Sequence, residues 1–303
     1  METATLPDTA RSWTLRLPRG RSLPLGERPR VMGILNLTPD SFSDGGLWSD
    51  PGRAVERGLE MLAEGADLLD LGAESTRPGG GVYGEGARTL PPEEESARLL
   101  PVLEALRKAT DAPLSVDTRK GEVARQALAA GADLVNDVSA LADPDLGRAV
   151  AEAGCPLVLM HSRGELATMQ TGIRFHDVVR EVRDELALAA RRAAALRVDE
   201  SQLVLDPGIG FGKTWRQSLA LLARLDELAA LGRPLLVGAS RKSFIARAAA
   251  REGAPDPPPG RRLGGSLAAL AWAATLPAAI VRVHDVAETV QFLAVWYALA
   301  EEA

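Results

Sequence analysis

From Arg30 onward, short β-branched or Leu-rich runs alternate with longer stretches of helical periodicity, and this alternation limits the fold more than any other feature of the chain. The runs read VMGILNL (31–37), DLLDLG (67–72), PLSVD (113–117), DLVND (133–137), PLVLM (156–160), LVLD (203–206), PLLVGA (234–239) and AIVRV (279–283). Each precedes a helix-forming segment, the pattern of βα units that build a parallel sheet. GADLLD, GADLVN and DAPLSV introduce three of the strands with related turn chemistry, as in a repeated unit. An open doubly wound sheet usually has fewer strands, so eight βα pairs predict an α/β fold of the (β/α)8 TIM-barrel type over residues 30–303. Residues 1–29, where Trp13, Leu15 and Leu17 alternate before PRG, predict an N-terminal hairpin or extension capping the barrel floor. The Pro/Gly-rich GAPDPPPGRR (253–262) lies between two helix-forming segments and reads as a loop insertion rather than a domain linker.

A length of 303 residues suits one barrel of this kind. The net charge of −6, with acids and bases mixed along the chain, provides no basic stripe to follow a phosphate backbone, so no nucleic-acid partner is expected. No stretch approaches the roughly 20 apolar residues of a membrane span, and the start lacks the pattern of a secretory signal. A cytoplasmic protein without membrane contacts is expected. The single cysteine, Cys155, lies in the apolar run CPLVLM and is expected in the core.

In such a barrel the chemistry sits on loops leaving the C-terminal ends of the strands. Those ends carry Asn36, Glu74 to Arg77, Asp117, Asn136 with Asp137, His161, Asp206, Ser240 to Lys242, and Arg282 with His284. Helix capping is an alternative account of some of them, Asp137 and Ser139 in particular. Capping does not account for Lys242 or Arg282, because a cation near a helix N-terminus opposes the helix dipole and calls for a compensating anion. The chain has only four lysines, and Lys120, Lys213 and Lys242 all follow strand ends, where a compact rotatable donor is a different tool from a planar guanidinium. NLTPDSFSDGG (36–46) and DPGIGFGK (206–213) let backbone N–H groups approach phosphate oxygens or a flat ring, although ligand-free tight turns would look the same. DPGIGFGKT is not a P-loop, since its glycines are misplaced for one. Asp117, Asp206 and Asn136 form a set of acceptors and donors on separate strands, suited to a ring with amino, N–H and oxo groups or to a structural hydrogen-bond network.

MGILNLTPDSFSDGG, ESTRPGG, SVDTRK, NDVSAL, DPGIGFGKT, VGASRKSFI and RVHD, in this order from about Val31 to His284, resemble the successive signatures of the dihydropteroate synthase family. The resemblance implies condensation of 6-hydroxymethyl-7,8-dihydropterin pyrophosphate with p-aminobenzoate to give dihydropteroate and pyrophosphate. It implies that Asp117, Asn136, Asp206 and Lys242 hold the pterin, with Met160 packed on it. Asn36, Arg282 and His284 would bind the pyrophosphate, and Asn36 would also meet a Mg2+ ion. Phe42, Thr76, Pro78, Phe211, Ser240 and Lys242 would border the p-aminobenzoate pocket, where sulfonamides would compete, and Arg77 belongs with the substrate-binding set. Two mobile loops, Thr38 to Gly46 and Thr76 to Gly79, would close over the site. Lys242, Arg282, His284, Asp117 and Asp206 would carry catalysis by a dissociative path, pyrophosphate leaving before the amine attacks. The family also implies a homodimer through C-terminal helices, where Trp272, Trp296 and Tyr297 provide apolar area or else pack the helix layer.

This chain departs from the family pattern at Ala73, often glycine; at Ser162, where Met is common; at Ser218, often Asn; and near Phe175, where a proline and a tyrosine are missing. Two other readings fit parts of the pattern. One is a methyltetrahydrofolate-binding domain of a corrinoid methyltransferase, which shares the Asp, Asn and Asp pocket but has no need of TPDSFSDGG, SRKSF or RVHD. The other is a pterin-binding paralogue that no longer turns over.

Overall fold

The computed structural model describes residues 13–37, 51–74, 89–164, 169–250 and 255–302. A two-stranded antiparallel hairpin, β1 (Trp13–Arg16) and β2 (Ser22–Leu25), precedes a closed barrel of eight parallel strands. These are β3 (Arg30–Asn36), β4 (Leu68–Gly72), β5 (Leu114–Asp117), β6 (Leu134–Asp137), β7 (Leu157–Met160), β8 (Leu203–Asp206), β9 (Leu235–Val237) and β10 (Ala279–Val283), with β10 pairing β3 to close the ring. The helices outside are α1 (Pro51–Ala63), α2 (Pro92–Ala109), α3 (Gly121–Ala129), α4 (Pro144–Ala153), α5 (Val178–Ala195), α6 (Trp215–Ala223), α7 (Leu225–Ala229), α8 (Ser243–Ala248), α9 (Leu263–Ala273) and α10 (Val286–Glu301). The eighth barrel strand by sequence is therefore β10, and the helical layer after β8 is broken at Arg224, whose φ of −130° interrupts it between α6 and α7.

Period-2 alternation sorts the strand side chains. Residues facing outward, such as Leu69, Leu71, Val116 and Val135, join the helix-facing core, whereas Met32, Leu68, Leu134, Val158, Val204, Leu236 and Ile280 fill the lower barrel interior. Leu15, Leu17, Leu23 and Leu25 of the hairpin belong to the same interior cluster, so the hairpin seals the floor as its alternation predicts. The repeated Gly-Ala-Asp turns have a matching physical role. Asp67 accepts the Val31 N–H at 2.8 Å and Asp133 accepts the Leu114 N–H at 2.9 Å, each satisfying a backbone donor at the start of the preceding barrel strand. Asp133 is also paired with Arg19 and Arg21 of the hairpin and with Arg107 of α2, which ties the floor to the barrel wall.

Cys155 is buried, and burial pushes its thiol up to about 12, in keeping with a packing role. The described part of GAPDPPPGRR is a loop with a single 3-10 turn between α8 and α9. No described helix is long and apolar enough to cross a membrane.

Candidate active site

With the lower interior filled by apolar side chains, the upper interior holds polar ones. Asp117 and Asn136 are lateral neighbours on β5 and β6, and Asp117 is level with Gly72 on β4. A Cβ at Gly72 would lie 3.4 Å from the Asp117 Cβ, in van der Waals contact with it. Met160 and Asp206 are likewise paired across β7 and β8. Arg282, on β10, reaches across the mouth: its Nη2 donates to Asp117 Oδ2 at 2.9 Å, and its Nε donates to Asp70 Oδ2 at 2.5 Å.

Asp70 is the residue that the sequence reading missed. It is fully buried in the middle of β4, and its Oδ2 also accepts from Asn136 Nδ2 at 3.1 Å, so one carboxylate aligns both Arg282 and Asn136. The signal was an acid at an inward-facing position of DLLDLG, two residues before Gly72, where the floor pattern calls for an apolar residue. Two expectations change as a result. The anion compensating Arg282 is internal, supplied by Asp70 and Asp117. Asn136 spends its N–H on Asp70, which leaves its side-chain oxygen, and not its amide donor, without a protein partner. Asp117 Oδ1 and Asp70 Oδ1 are also buried without hydrogen-bond partners.

These orphaned acceptors bear on charge. Burial pushes Asp117 up to about 7, the Arg282 guanidinium opposing the shift and the Asp70 carboxylate adding to it. Asp206 is raised by burial too, against the pull of Lys242 and the N–H of Gly208, which Oδ1 accepts at 2.7 Å. Burial works against the Arg282 charge, but Asp70 and Asp117 outweigh it and hold the guanidinium protonated.

Lys242 enters from the loop after β9. It precedes α8, donates to the Ile209 carbonyl at 2.5 Å, and lies 4.6 Å from the Phe211 ring centroid, a cation–π contact. Burial lowers it to about 8, with Asp206 pulling the other way. Its approach is set by Arg241, a non-glycine residue at φ 57°, in a left-handed conformation that costs on the order of 1–3 kcal/mol. That turn is held by the Arg241 N–H to Ser266 Oγ (3.0 Å), by Arg241 Nε to Asp285 Oδ2 (3.0 Å), and by the buried Arg262, whose Nη1 donates to the Arg241 carbonyl at 2.9 Å. None of these supporting residues stood out in the sequence, because their partners come from α9 and from the exit of β10.

Ser240 and His284 are brought together. Ser240 Oγ accepts the His284 N–H at 3.2 Å and lies 3.0 Å from His284 Nδ1, which links the exits of β9 and β10. Asn36 ends β3 level with Gly72. Asp137 belongs to the local turn, accepting from the Ser139 N–H and hydroxyl at 2.8 and 2.6 Å and from the Leu141 N–H at 2.5 Å; neither it nor Ser139 caps a helix, since the N-cap of α4 is Asp143. Lys120 forms ion pairs with Glu74 and Glu95 away from Arg282 and Lys242. Phe42, Thr76, Arg77 and Pro78, with the two loops Thr38 to Gly46 and Thr76 to Gly79, lie outside the described residues.

A barrel mouth that sets buried carboxylates beside an arginine, a lysine and an aromatic ring has relatives of known identity. The pterin binding enzyme family profile matches residues 32–284. A dihydropteroate synthase of Synechocystis is 44% identical over 285 residues, covering 93% of this chain and 94% of the relative. The structure of a Xanthomonas albilineans dihydropteroate synthase with 4-aminobenzoic acid superimposes with a TM-score of 0.84 at 46% identity, covering 95% of this chain and 98% of that one. The same enzyme in complex with 7,8-dihydropteroate gives a TM-score of 0.80 at 44% identity over 94% and 98% of the two chains. The chain belongs to the pterin-binding enzyme family and, within it, to the dihydropteroate synthases.

Proposed function

We infer that this protein condenses 6-hydroxymethyl-7,8-dihydropterin pyrophosphate with p-aminobenzoate, giving 7,8-dihydropteroate and pyrophosphate. The observation that carries the residue assignment is the set of orphaned acceptors, Asp117 Oδ1 and Asn136 Oδ1, buried beside Arg282. A pterin has an amino group and ring N–H donors along one edge, and buried acceptors without partners select for such an edge because each costs about 1–3 kcal/mol unpaired. Asp206 adds a second carboxylate, and Met160, beside it on β7, offers an apolar surface for the ring.

The bond that breaks joins the hydroxymethyl carbon to a pyrophosphate oxygen, the electron pair leaving with the oxygen. Arg282 and His284, on successive inward positions of β10 and its exit, are placed to hold that oxygen-rich group as its negative charge grows. The pterin left behind is positive and delocalised, and Asp117 and Asp206 stabilise it relative to the neutral reactant. The nitrogen lone pair of p-aminobenzoate then forms the new C–N bond to the cationic carbon, and the resulting ammonium gives up its proton to water. Phe211 and Lys242, already in contact, provide a flat apolar face and a cation for the aromatic acid, with Ser240, Phe42, Thr76, Arg77 and Pro78 assigned to the same substrates.

Asn36 fits a Mg2+ ion as a neutral oxygen donor at the strand exit; among the described residues there is no cluster of three or more carboxylate, histidine or cysteine ligands, which suits an ion held mainly by phosphate oxygens. When bound, magnesium would offset charge on the departing pyrophosphate. The polyanionic pyrophosphate substrate does not cross a bilayer unaided, so we place the reaction in the cytoplasm. Residues 30–303 form the working barrel in this reading and residues 1–29 its extension. The exposed Trp272, Val295 and Leu299 on α9 and α10 support a homodimer through this face, to be checked by light scattering; Tyr297 instead packs the helix layer, its hydroxyl donating to the Ala274 carbonyl at 2.9 Å.

The test is incubation of the purified protein with magnesium, the pterin pyrophosphate and radiolabelled p-aminobenzoate, following labelled dihydropteroate and released pyrophosphate. Product that depends on each component supports the reading. Tight pterin binding without product would leave the non-catalytic paralogue in its place.

A further inference from the structure

The loop from Asp206 to Lys213 has no regular structure, yet the side chains on it must be held within a fraction of an ångström to form one wall of the site. Its glycines at 208, 210 and 212 all have positive φ (+64°, +82° and +58°), so the backbone folds back sharply on itself. What defines the turn is a set of side-chain donors. Every carbonyl from Gly208 to Phe211 accepts from one: Gly208 from Lys213 at 3.0 Å, Ile209 from Lys242 at 2.5 Å, Gly210 from Gln170 at 2.6 Å and Phe211 from Lys213 at 2.8 Å.

Lys213 takes two of the four, and its third donor meets His161 Nδ1 at 2.9 Å. The ammonium thus has three near acceptors for three N–H bonds, with the His161 carbonyl a more distant fourth at 3.4 Å, and is buried with them. Converging three acceptors on one nitrogen is a geometry that a planar guanidinium does not offer, a physical reason for lysine at this position of an arginine-rich chain. His161 is committed to the arrangement: its Nε2 faces Glu185 Oε2 at 2.9 Å, so Nε2 carries the proton and Nδ1 is the acceptor. Burial, with Lys213 alongside, lowers His161 to about 4, and the ring stays neutral at ordinary pH. The packing is close. A Cβ at Gly208 would come within 1.9 Å of the His161 carbonyl and 3.2 Å of Lys213 Nζ.

We propose that Lys213 is a positioning residue for the p-aminobenzoate side of the site: by drawing the carbonyls of Gly208 and Phe211 onto one ammonium, it sets the Phe211 ring and the Ile209 carbonyl that together place Lys242. The inference rests on the function proposed above and deepens it. Lys213 has no role in the chemistry itself. Asp206 depends on it less, because the end of β8 is also held by the barrel ladder, the His161 N–H donating to the Asp206 carbonyl at 2.8 Å. Phe211 is assigned to p-aminobenzoate alone and Lys242 to both substrates, so the effect falls first on p-aminobenzoate.

In Lys213→Met, which keeps the length of the chain but no donor, KM for p-aminobenzoate rises about tenfold, on the scale of one buried hydrogen-bonding group. KM for the pterin pyrophosphate stays within about twofold on the same reasoning. Two further variants separate positioning from folding. His161→Asn puts an acceptor oxygen near the position of Nδ1 and preserves both KM values, whereas His161→Leu removes the acceptor and raises KM for p-aminobenzoate as Lys213→Met does. The proposal fails if Lys213→Met leaves KM for p-aminobenzoate unchanged or raises both KM values together. It also fails if His161→Asn and His161→Leu behave alike. Should Lys213→Met not fold, the His161 pair decides. A wild type without turnover would refute the proposed function instead, and the same variants would then be ranked by calorimetric binding of p-aminobenzoate.

Discussion

Asp70→Asn removes one charge from the centre of the site and almost no volume. The replacement amide can keep its oxygen toward Arg282 Nε and Asn136 Nδ2, now at 2.5 and 3.1 Å from Oδ2, and its NH2 then stands where Oδ1 has no partner. Both partners of the Arg282 contact are charged in the wild type and only one in the variant, so that contact weakens by on the order of 1 kcal/mol. The buried NH2 without an acceptor costs about 1–3 kcal/mol more, for a sum of about 2–4 kcal/mol. In a protein of this size each kcal/mol moves Tm by about 2 °C, so scanning calorimetry should show a fall of about 4–8 °C. The same loosening of Arg282 and Asn136 lowers kcat/KM for the pterin pyrophosphate, at saturating p-aminobenzoate, by about 10- to 100-fold. There is a second signature: Asp70 is one of the charges that raise Asp117, so the acid limb of the kcat/KM profile moves to lower pH in the variant. A kcat/KM within twofold of wild type, with an unmoved acid limb, would refute the alignment role of Asp70.

Burial holds Lys242 near 8 and Lys213 near 7, and raises Asp117 to about 7, so kcat/KM should fall on the acid side as Asp117 takes up a proton and on the alkaline side as the two lysines lose theirs; in Lys242→Arg the limb near 8 should disappear while that of Lys213 stays, and an unmoved limb near 8 would reassign it. In the free protein Asp117 is raised above its unfolded value of 3.8, so its contribution to stability is full below that pH and is lost as pH rises through about 7; urea titrations of wild type and Asp117→Asn should therefore converge toward acid and diverge toward neutrality, the variant being favoured there. Leu15→Ala, in the floor cluster, should cost about 2–5 kcal/mol in urea denaturation and leave both KM values unchanged, since the floor lies a full layer of side chains below the site. Gly208→Ala, by contrast, should abolish turnover while leaving much of the barrel folded by circular dichroism, because its Cβ would collide with the His161 carbonyl at 1.9 Å.

The strands were legible because a parallel barrel buries both faces of each one, which makes the strand a nearly continuous apolar run; seven of the eight sequence boundaries fall within one residue of those observed, and the seventh strand stops at Val237 instead of residue 239 because Gly238 and Ala239 already turn toward Lys242. The candidate site was legible where a polar residue terminates a run, as at Asp117, Asn136 and Asp206. Asp70 was not, because it sits inside its run and its meaning depends on Arg282, 212 residues away. Lys213 stood out as a rare lysine, but its task needed His161, 52 residues earlier, and the backbone of its own loop. Arg262 was hidden among many arginines, and the turn at Arg241 that it supports is set by α9 packing that no local pattern reports.

Strands and loops divide the work of this site by the precision each can provide. The acids are on the barrel strands, where ladder hydrogen bonds fix the backbone on both sides, and Arg282 is on a strand as well. Phe211 and Lys242 are on loops, which therefore need Lys213, Gln170, Ser266 and Arg262 as external supports. Arg282 serves both sides of the charge balance. It neutralises Asp70 and Asp117 in the free protein, and removing one partner of a buried pair generally costs about 3–5 kcal/mol because the remaining charge is stranded. It is also the cation paired with Asp117, one of the two acids assigned to the positive ring. Loss of activity in Arg282→Met would therefore mix a damaged fold with a damaged transition state, whereas Asp70→Asn retains the guanidinium and changes the carboxylate that aligns it and Asn136.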